Sequence, residues 1–119
     1  MEKPHKKLDV WILAMALVKD VYKATADFPS AERFSLTDQI RRATVSIPSN
    51  IAEGAARNTK KEFVNFLHIS QGSLSELDTQ LELSRELGYL DKATWSKLDE
   101  TMTRVDKMLT GLIRSQKTA

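Results

Sequence analysis

Apolar residues recur along this chain at steps of three and four, a repeat that predicts four helices. The first covers residues 8–27. Trp11, Met15, Val18, Tyr22 and Thr25 lie on one face, and Val10, Leu13, Leu17, Val21 and Ala24 form a second apolar stripe beside it. A helix apolar around most of its girth is covered on more than one side. In 119 residues the natural second cover is another subunit. The Trp11 stripe is therefore assigned to the core, and Leu13, Leu17 and Val21 to a subunit contact. Phe28-Pro29 ends the helix, because a residue before proline avoids the α region.

The second helix begins behind Ser35, a good N-cap, with Asp38 in its first turn. Its stripe is Leu36, Ile40, Ala43, Ile47, Ile51 and Ala55. Pro48 removes the amide that would bond to Thr44, yet the stripe keeps its phase across it. One helix kinked at Pro48 is expected, with Ser46, Ser49 or Asn50 serving the freed carbonyl or a neighbouring subunit. Gly54 and Arg57-Asn58 mark a fraying end. Thr59-Lys60-Lys61-Glu62 then has capping-box spacing. The third helix runs to about Leu87, with Gly88 as its C′ residue. Phe63, Phe66, Leu67, Ser70, Leu74, Leu77 and Leu81 face inward, and Lys61, Asn65, His68, Gly72, Ser75, Thr79, Glu82 and Glu86 face out. Asp91 caps the fourth helix, where Trp95, Leu98, Met102, Val105, Leu109 and Leu112 repeat as a heptad seam.

Short connections between long helices favour antiparallel neighbours. The chain therefore reads as all-α, a single up-down-up-down four-helix bundle over residues 1–119. Its ordered core covers about 8–114, and Met1 to Lys7 and Ser115 to Ala119 are expected to be loose.

Composition narrows the chemistry. There is no cysteine, which excludes disulfides, thiolate metal sites and cysteine nucleophiles. The longest apolar run, Val10 to Val18, is far short of the ~20 residues a spanning helix needs, so no membrane association is expected and the location reads as cytoplasmic. Glu-x-x-His spacing occurs once, from Glu2 to His5 ahead of the first helix rather than on facing helices, and neither His-Glu-x-x-His nor a phosphate-cradling glycine loop occurs, so no metal, cofactor or catalytic residue is assigned.

The sharpest catalytic-looking string is His68-Ile69-Ser70-Gln71-Gly72-Ser73, which resembles the His-x-x-Lys-Gly-Ser string of histidine phosphotransfer domains. Gln71 replaces the lysine that would neutralise phosphate. The competing reading is a solvated histidine, with Gly72 and Ser73 letting helices approach closely.

Net charge is +2, but it is unevenly spread. Residues 1–61 carry 11 basic and 7 acidic groups; residues 62–119 carry 7 and 9. Arg41, Arg42, Arg57, Lys60 and Lys61 cluster near the second helix and its junction with the third. They can bind the phosphates of RNA or DNA. The alternative is internal neutralisation, Asp38 pairing with Arg41 or Arg42 and Glu53 with Arg57. In that case the bundle is a protein-interaction scaffold.

Gln39-Ile40-Arg41-Arg42-Ala43, Ser46-Ile47-Pro48, Asn50-Ile51-Ala52-Glu53-Gly54, Phe66-Leu67, Gly72-Ser73-Leu74-Ser75-Glu76-Leu77 and Leu87-Gly88-Tyr89-Leu90 together resemble one family. It is the four-helix-bundle family encoded in intervening sequences of bacterial 23S ribosomal RNA genes, which also includes the accessory variability proteins of diversity-generating retroelements. The resemblance runs from about Leu8 to Ile113. It implies an all-α bundle assembling into a homopentamer, with no catalytic residues. By way of the retroelement members it also implies nucleic-acid binding through basic surface and a reverse transcriptase as a partner. Ser70 stands where alanine is expected, a packing-level departure.

Overall fold

Four helices carry the chain in a computed structural model that describes residues 1–118: α1 (Asp9–Thr25), α2 (Leu36–Ala55), α3 (Lys60–Glu86) and α4 (Lys92–Thr118). A 3-10 turn at Pro4–Lys7 precedes α1 and packs against α1 and α2, and another, Ser30–Glu32, lies in the first connection. The N-terminal segment expected to be loose is thus partly built into the bundle. At the other end α4 runs past residue 114 to Thr118; Ala119 lies outside the described residues.

The helices pack in a ring, α1 on α2 and α4, and α3 on α2 and α4, while the diagonal pairs do not meet. Side-chain contacts give their directions. Arg41, early in α2, bonds to Thr25 at the end of α1. Gly54, late in α2, meets Phe63 and Phe66 at the start of α3. Arg85, late in α3, covers the ring of Trp95 at the start of α4. Each neighbour therefore runs antiparallel, in a bundle 46 × 24 × 20 Å.

Local chemistry sets the helix ends. Thr59 Oγ1 accepts from the Glu62 amide at 3.1 Å, as the capping-box spacing predicts. Gly88 adopts φ +82°, and Gly88 N–H to Arg85 O with Tyr89 N–H to Ser84 O closes α3 in a Schellman motif. Asp91 Oδ1 accepts from the Thr94 amide at 2.7 Å, which holds its carboxyl below the usual carboxylate range. Ser35 differs from expectation. It occupies the N-cap position of α2 but makes no side-chain cap. Glu32 Oε1 instead receives the Leu36 amide at a long 3.5 Å, while its other oxygen accepts from Tyr89 Oη at 3.0 Å. That bond pushes the Tyr89 phenol above its ordinary value, and it ties the first and third connections together at one end.

The helix α2 runs uninterrupted through Pro48. Ser46 Oγ, Ser49 Oγ and Asn50 Nδ2 donate to the carbonyls of Ala43, Val45 and Ser46, not to that of Thr44. Buried Ser70 donates across the interface to Ile47 O at 2.9 Å. The hydroxyl at 70 is thus an α2–α3 tie beside the proline rather than a neutral packing change. Ser70→Ala should cost about 0.5–1.5 kcal/mol, read as a lower urea midpoint at unchanged slope.

The largest correction concerns α1. Val10, Ala14, Leu17 and Val21 are buried, Leu17 and Val21 completely. Trp11, Met15 and Val18 are only half-buried, and Tyr22 is 42% exposed. The second stripe supplies the centre of the core, while Trp11 packs against its edge together with Leu13 and Ala24. Thr25 alone of the first stripe is buried, and of the residues assigned to a subunit contact only Leu13 keeps any exposure. Both stripes have helical spacing; the inner one is the one that fits between α2 and α4, with Ala14 permitting the approach.

Candidate nucleic-acid interface

The five basic residues singled out above do not form one patch. Sixteen residues of helix separate Arg41 from Arg57 along α2 and its end, about 24 Å at 1.5 Å per residue.

Arg41 is committed to the fold. Its Nε donates to Thr25 Oγ1 at 3.0 Å, an Nη donates to Tyr22 O at 3.4 Å, and the guanidinium lies 4.5 Å from the Tyr22 ring centroid. It thereby places a cation on the Tyr22 carbonyl in the last turn of α1, where the helix dipole favours one. Arg42 pairs with Asp38 at 2.9 Å, but its side chain is 79% exposed, so the pair holds it weakly.

The other three converge with residues from elsewhere. Arg57 pairs with Glu53 at 2.6 Å and covers the Phe66 ring at 4.8 Å. Lys60 and Lys61 are exposed, and with Val64, Asn65, Gln116 and Lys117 they line a shallow groove of about 260 Å³ between the start of α3 and the end of α4. The antiparallel topology brings a third basic segment to this end, the turn carrying Lys3, Lys6 and Lys7, which packs on α1 and α2. Residues 1–9, 53–62 and 113–118 together hold eight cations (Lys3, Lys6, Lys7, Arg57, Lys60, Lys61, Arg114 and Lys117) against four acids (Glu2, Asp9, Glu53 and Glu62). That is +4 at one end; the rest of the chain, with ten cations and twelve acids, carries −2. Lys3, Lys6, Lys7, Arg114 and Lys117 escaped the sequence reading because they lie at the chain ends. The signal that finds them is the topology itself, which puts both termini and the α2–α3 turn at the same end.

The remaining candidates fare differently. His68 projects from the outer face of α3, and Gln71 is tied to α4, its Nε2 donating to Thr110 Oγ1 at 3.1 Å and to Asp106 Oδ1 at 3.4 Å. Nothing lies within 4 Å of a Cβ placed on Gly72, so no helix approaches there. The close approach belongs to Gly54, which is buried against Phe63 and Phe66 and does not fray. Among the described residues no group of three or more His, Asp or Glu side chains is placed to hold a metal ion, and no helix is long and apolar enough to cross a membrane.

Fold and surface together define a small all-α bundle protein with a cationic end. Residues 6–111 match the 23S rRNA-intervening sequence protein family, and the chain belongs to that family. Among solved structures it is similar to a protein of unknown function from the S23 ribosomal protein family of Bacteroides thetaiotaomicron VPI-5482. The two share 23% identity and superpose with a TM-score of 0.79 over 87% of this chain and 97% of the other, a likeness of fold. No curated protein matches the sequence.

Proposed function

We propose that this protein is a non-enzymatic homo-oligomer that holds nucleic acid by its phosphate backbone, without sequence preference. The carrying observation is the concentration of eight cations against four acids at one end of a chain whose net charge is only +2. Exposed lysines are mobile point charges suited to phosphate, and contacts to phosphate position a protein without reading bases.

Oligomerisation multiplies that surface. The half-exposed stripe Trp11, Met15, Val18 and Tyr22, flanked by Val45 (40% exposed) on α2, is the apolar face that a second subunit would cover. The pentamer implied by the family resemblance would have a mass of 67.5 kDa, five times 13.5 kDa. Each copy adds one cationic end, so a single polyanion engages several weak sites at once. A reverse transcriptase is the protein partner the same resemblance suggests.

The test is fluorescence anisotropy of a generic labelled nucleic acid between about 50 and 200 mM salt. Affinity should fall steeply over that range and differ little among sequences. Combined Lys60→Glu, Lys61→Glu and Lys117→Glu changes should lower it at least tenfold, while Arg41→Ala, which touches only α1, should not. Absence of binding at the low-salt end would reject the reading and favour a protein-interaction scaffold.

A further inference from the structure

We infer that the ligand class of the cationic end is duplex nucleic acid, DNA or RNA alike, in preference to single strands. This rests on the phosphate-binding reading above and narrows it. Binding without regard to sequence takes two physical forms. Single strands are held by aromatic rings on which bases stack, beside a cationic groove. Duplexes hide their bases and offer rows of phosphates on a stiff frame.

The aromatic rings nearest this end are engaged. Trp11 packs edge-on to His5 with centroids 5.0 Å apart, the Phe66 ring lies under the Arg57 guanidinium, and half-buried Phe63 packs against Gly54. The most exposed ring, Phe34 at 88%, belongs to the first connection, at the opposite end of the 46 Å bundle. A strand lying on the lysines would find no stacking platform.

The backbone that carries these cations is a fixed frame. Lys60 and Lys61 stand on the first turn of α3, Lys117 on the last turn of α4, and Lys3, Lys6 and Lys7 on or beside a turn packed against α1 and α2. A stiff duplex meets such a frame without being ordered, whereas a flexible strand loses conformational freedom to follow it.

Charge density acts in the same direction. Counterion release gives a slope of log K against log salt of about −0.9 per phosphate on a duplex and −0.7 on a single strand. With about five phosphates neutralised, the slopes differ by about one, which is a tenfold advantage for the duplex with each tenfold dilution of salt below 1 M. Lysine ammonium groups do not read the 2′-hydroxyl, so duplex RNA and duplex DNA should bind alike.

The experiment compares a 20-base-pair DNA duplex, an RNA duplex of the same sequence and a 20-nucleotide oligothymidine strand, each labelled, on the full-length protein at about 50 mM salt and over a salt series. Both duplexes should bind at least tenfold tighter than oligothymidine. The Lys60→Glu, Lys61→Glu, Lys117→Glu variant, checked for native helicity by circular dichroism, should have a duplex slope shallower by about 2–3. Oligothymidine binding within tenfold of the duplexes, or an unchanged slope in the variant, overturns the duplex assignment while phosphate binding stands. Binding to none of the three overturns both.

Discussion

Leu17→Glu should leave the chain largely unfolded, whereas Met15→Glu, two residues away on the same helix, should leave it folded. Leu17 has no exposed surface and lies in the cluster that includes Val21, Ile40, Leu77 and Val105. Truncation of such a leucine costs about 2–5 kcal/mol. A carboxylate there adds the cost of a buried unpaired charge, against a total domain stability of about 5–15 kcal/mol. Far-UV circular dichroism and thermal melting should show lost helicity for Leu17→Glu and near-native helicity for Met15→Glu. The second variant carries its own consequence. If the Trp11, Met15, Tyr22 and Val45 face is covered by a neighbouring subunit, Met15→Glu combined with Val45→Glu should shift the native mass from an oligomer to 13.5 kDa. A monomeric wild type at micromolar concentration would remove the subunit contact from this face.

A substitution as small as Gly54→Ala should rank next. A Cβ at this position would lie 2.7 Å from Phe66 Cβ, 2.9 Å from Phe63 Cδ1 and 3.2 Å from Phe63 O. Phe66 Cβ and the Phe63 carbonyl are fixed to the backbone of α3, so relief requires the helices to separate. Overpacking of this kind costs about 1–3 kcal/mol, and alanine's better helix propensity returns about 1 kcal/mol at most. Gly54→Val loses that compensation, because its branched side chain is larger and a poorer helix former. Gly72→Ala is the internal control. With no atom within 4 Å, it should gain up to about 1 kcal/mol from propensity alone. A melting temperature that falls for Gly54→Ala and rises or holds for Gly72→Ala confirms where α2 and α3 touch. Equal effects at the two sites would contradict it.

Short-range chemistry was legible in the sequence. The caps at Thr59 and Asp91, the αL glycine at 88 and the α4 seam from Leu98 to Leu109 each depend on residues within a few positions of one another, although beyond Leu109 the buried residue is Ile113 rather than Leu112. Their energies are local, and so is their signature. The inward stripes of α2 and α3 were equally plain, because each of those helices has one apolar face and a polar one opposite. Helix α1 has two, and periodicity carries no term that ranks them. The choice went to Ala14, Leu17 and Val21 because that face fits against α2 and α4 at close packing, a volume condition involving residues far away in the chain. The same holds for Gly54, read from sequence as an end signal and found to be the point of closest approach.

The candidate site divides in the same way. Sequence alone identified cationic residues at 41, 42, 57, 60 and 61 and the acids that pair with Arg42 and Arg57 at helical spacing. It did not separate Arg41, which is bound to α1, from Lys60 and Lys61, which are exposed. Nor did it join the latter to lysines at both chain ends. Charge along a sequence adds up to +2; charge in space depends on which segments the fold sets side by side. Periodicity therefore determined the four helices, and the short connections between them pointed to their antiparallel order. Only the packing of those helices decided which face of α1 is core and gathered a charge of +4 at one end, because both depend on distances that exist only once the helices have met.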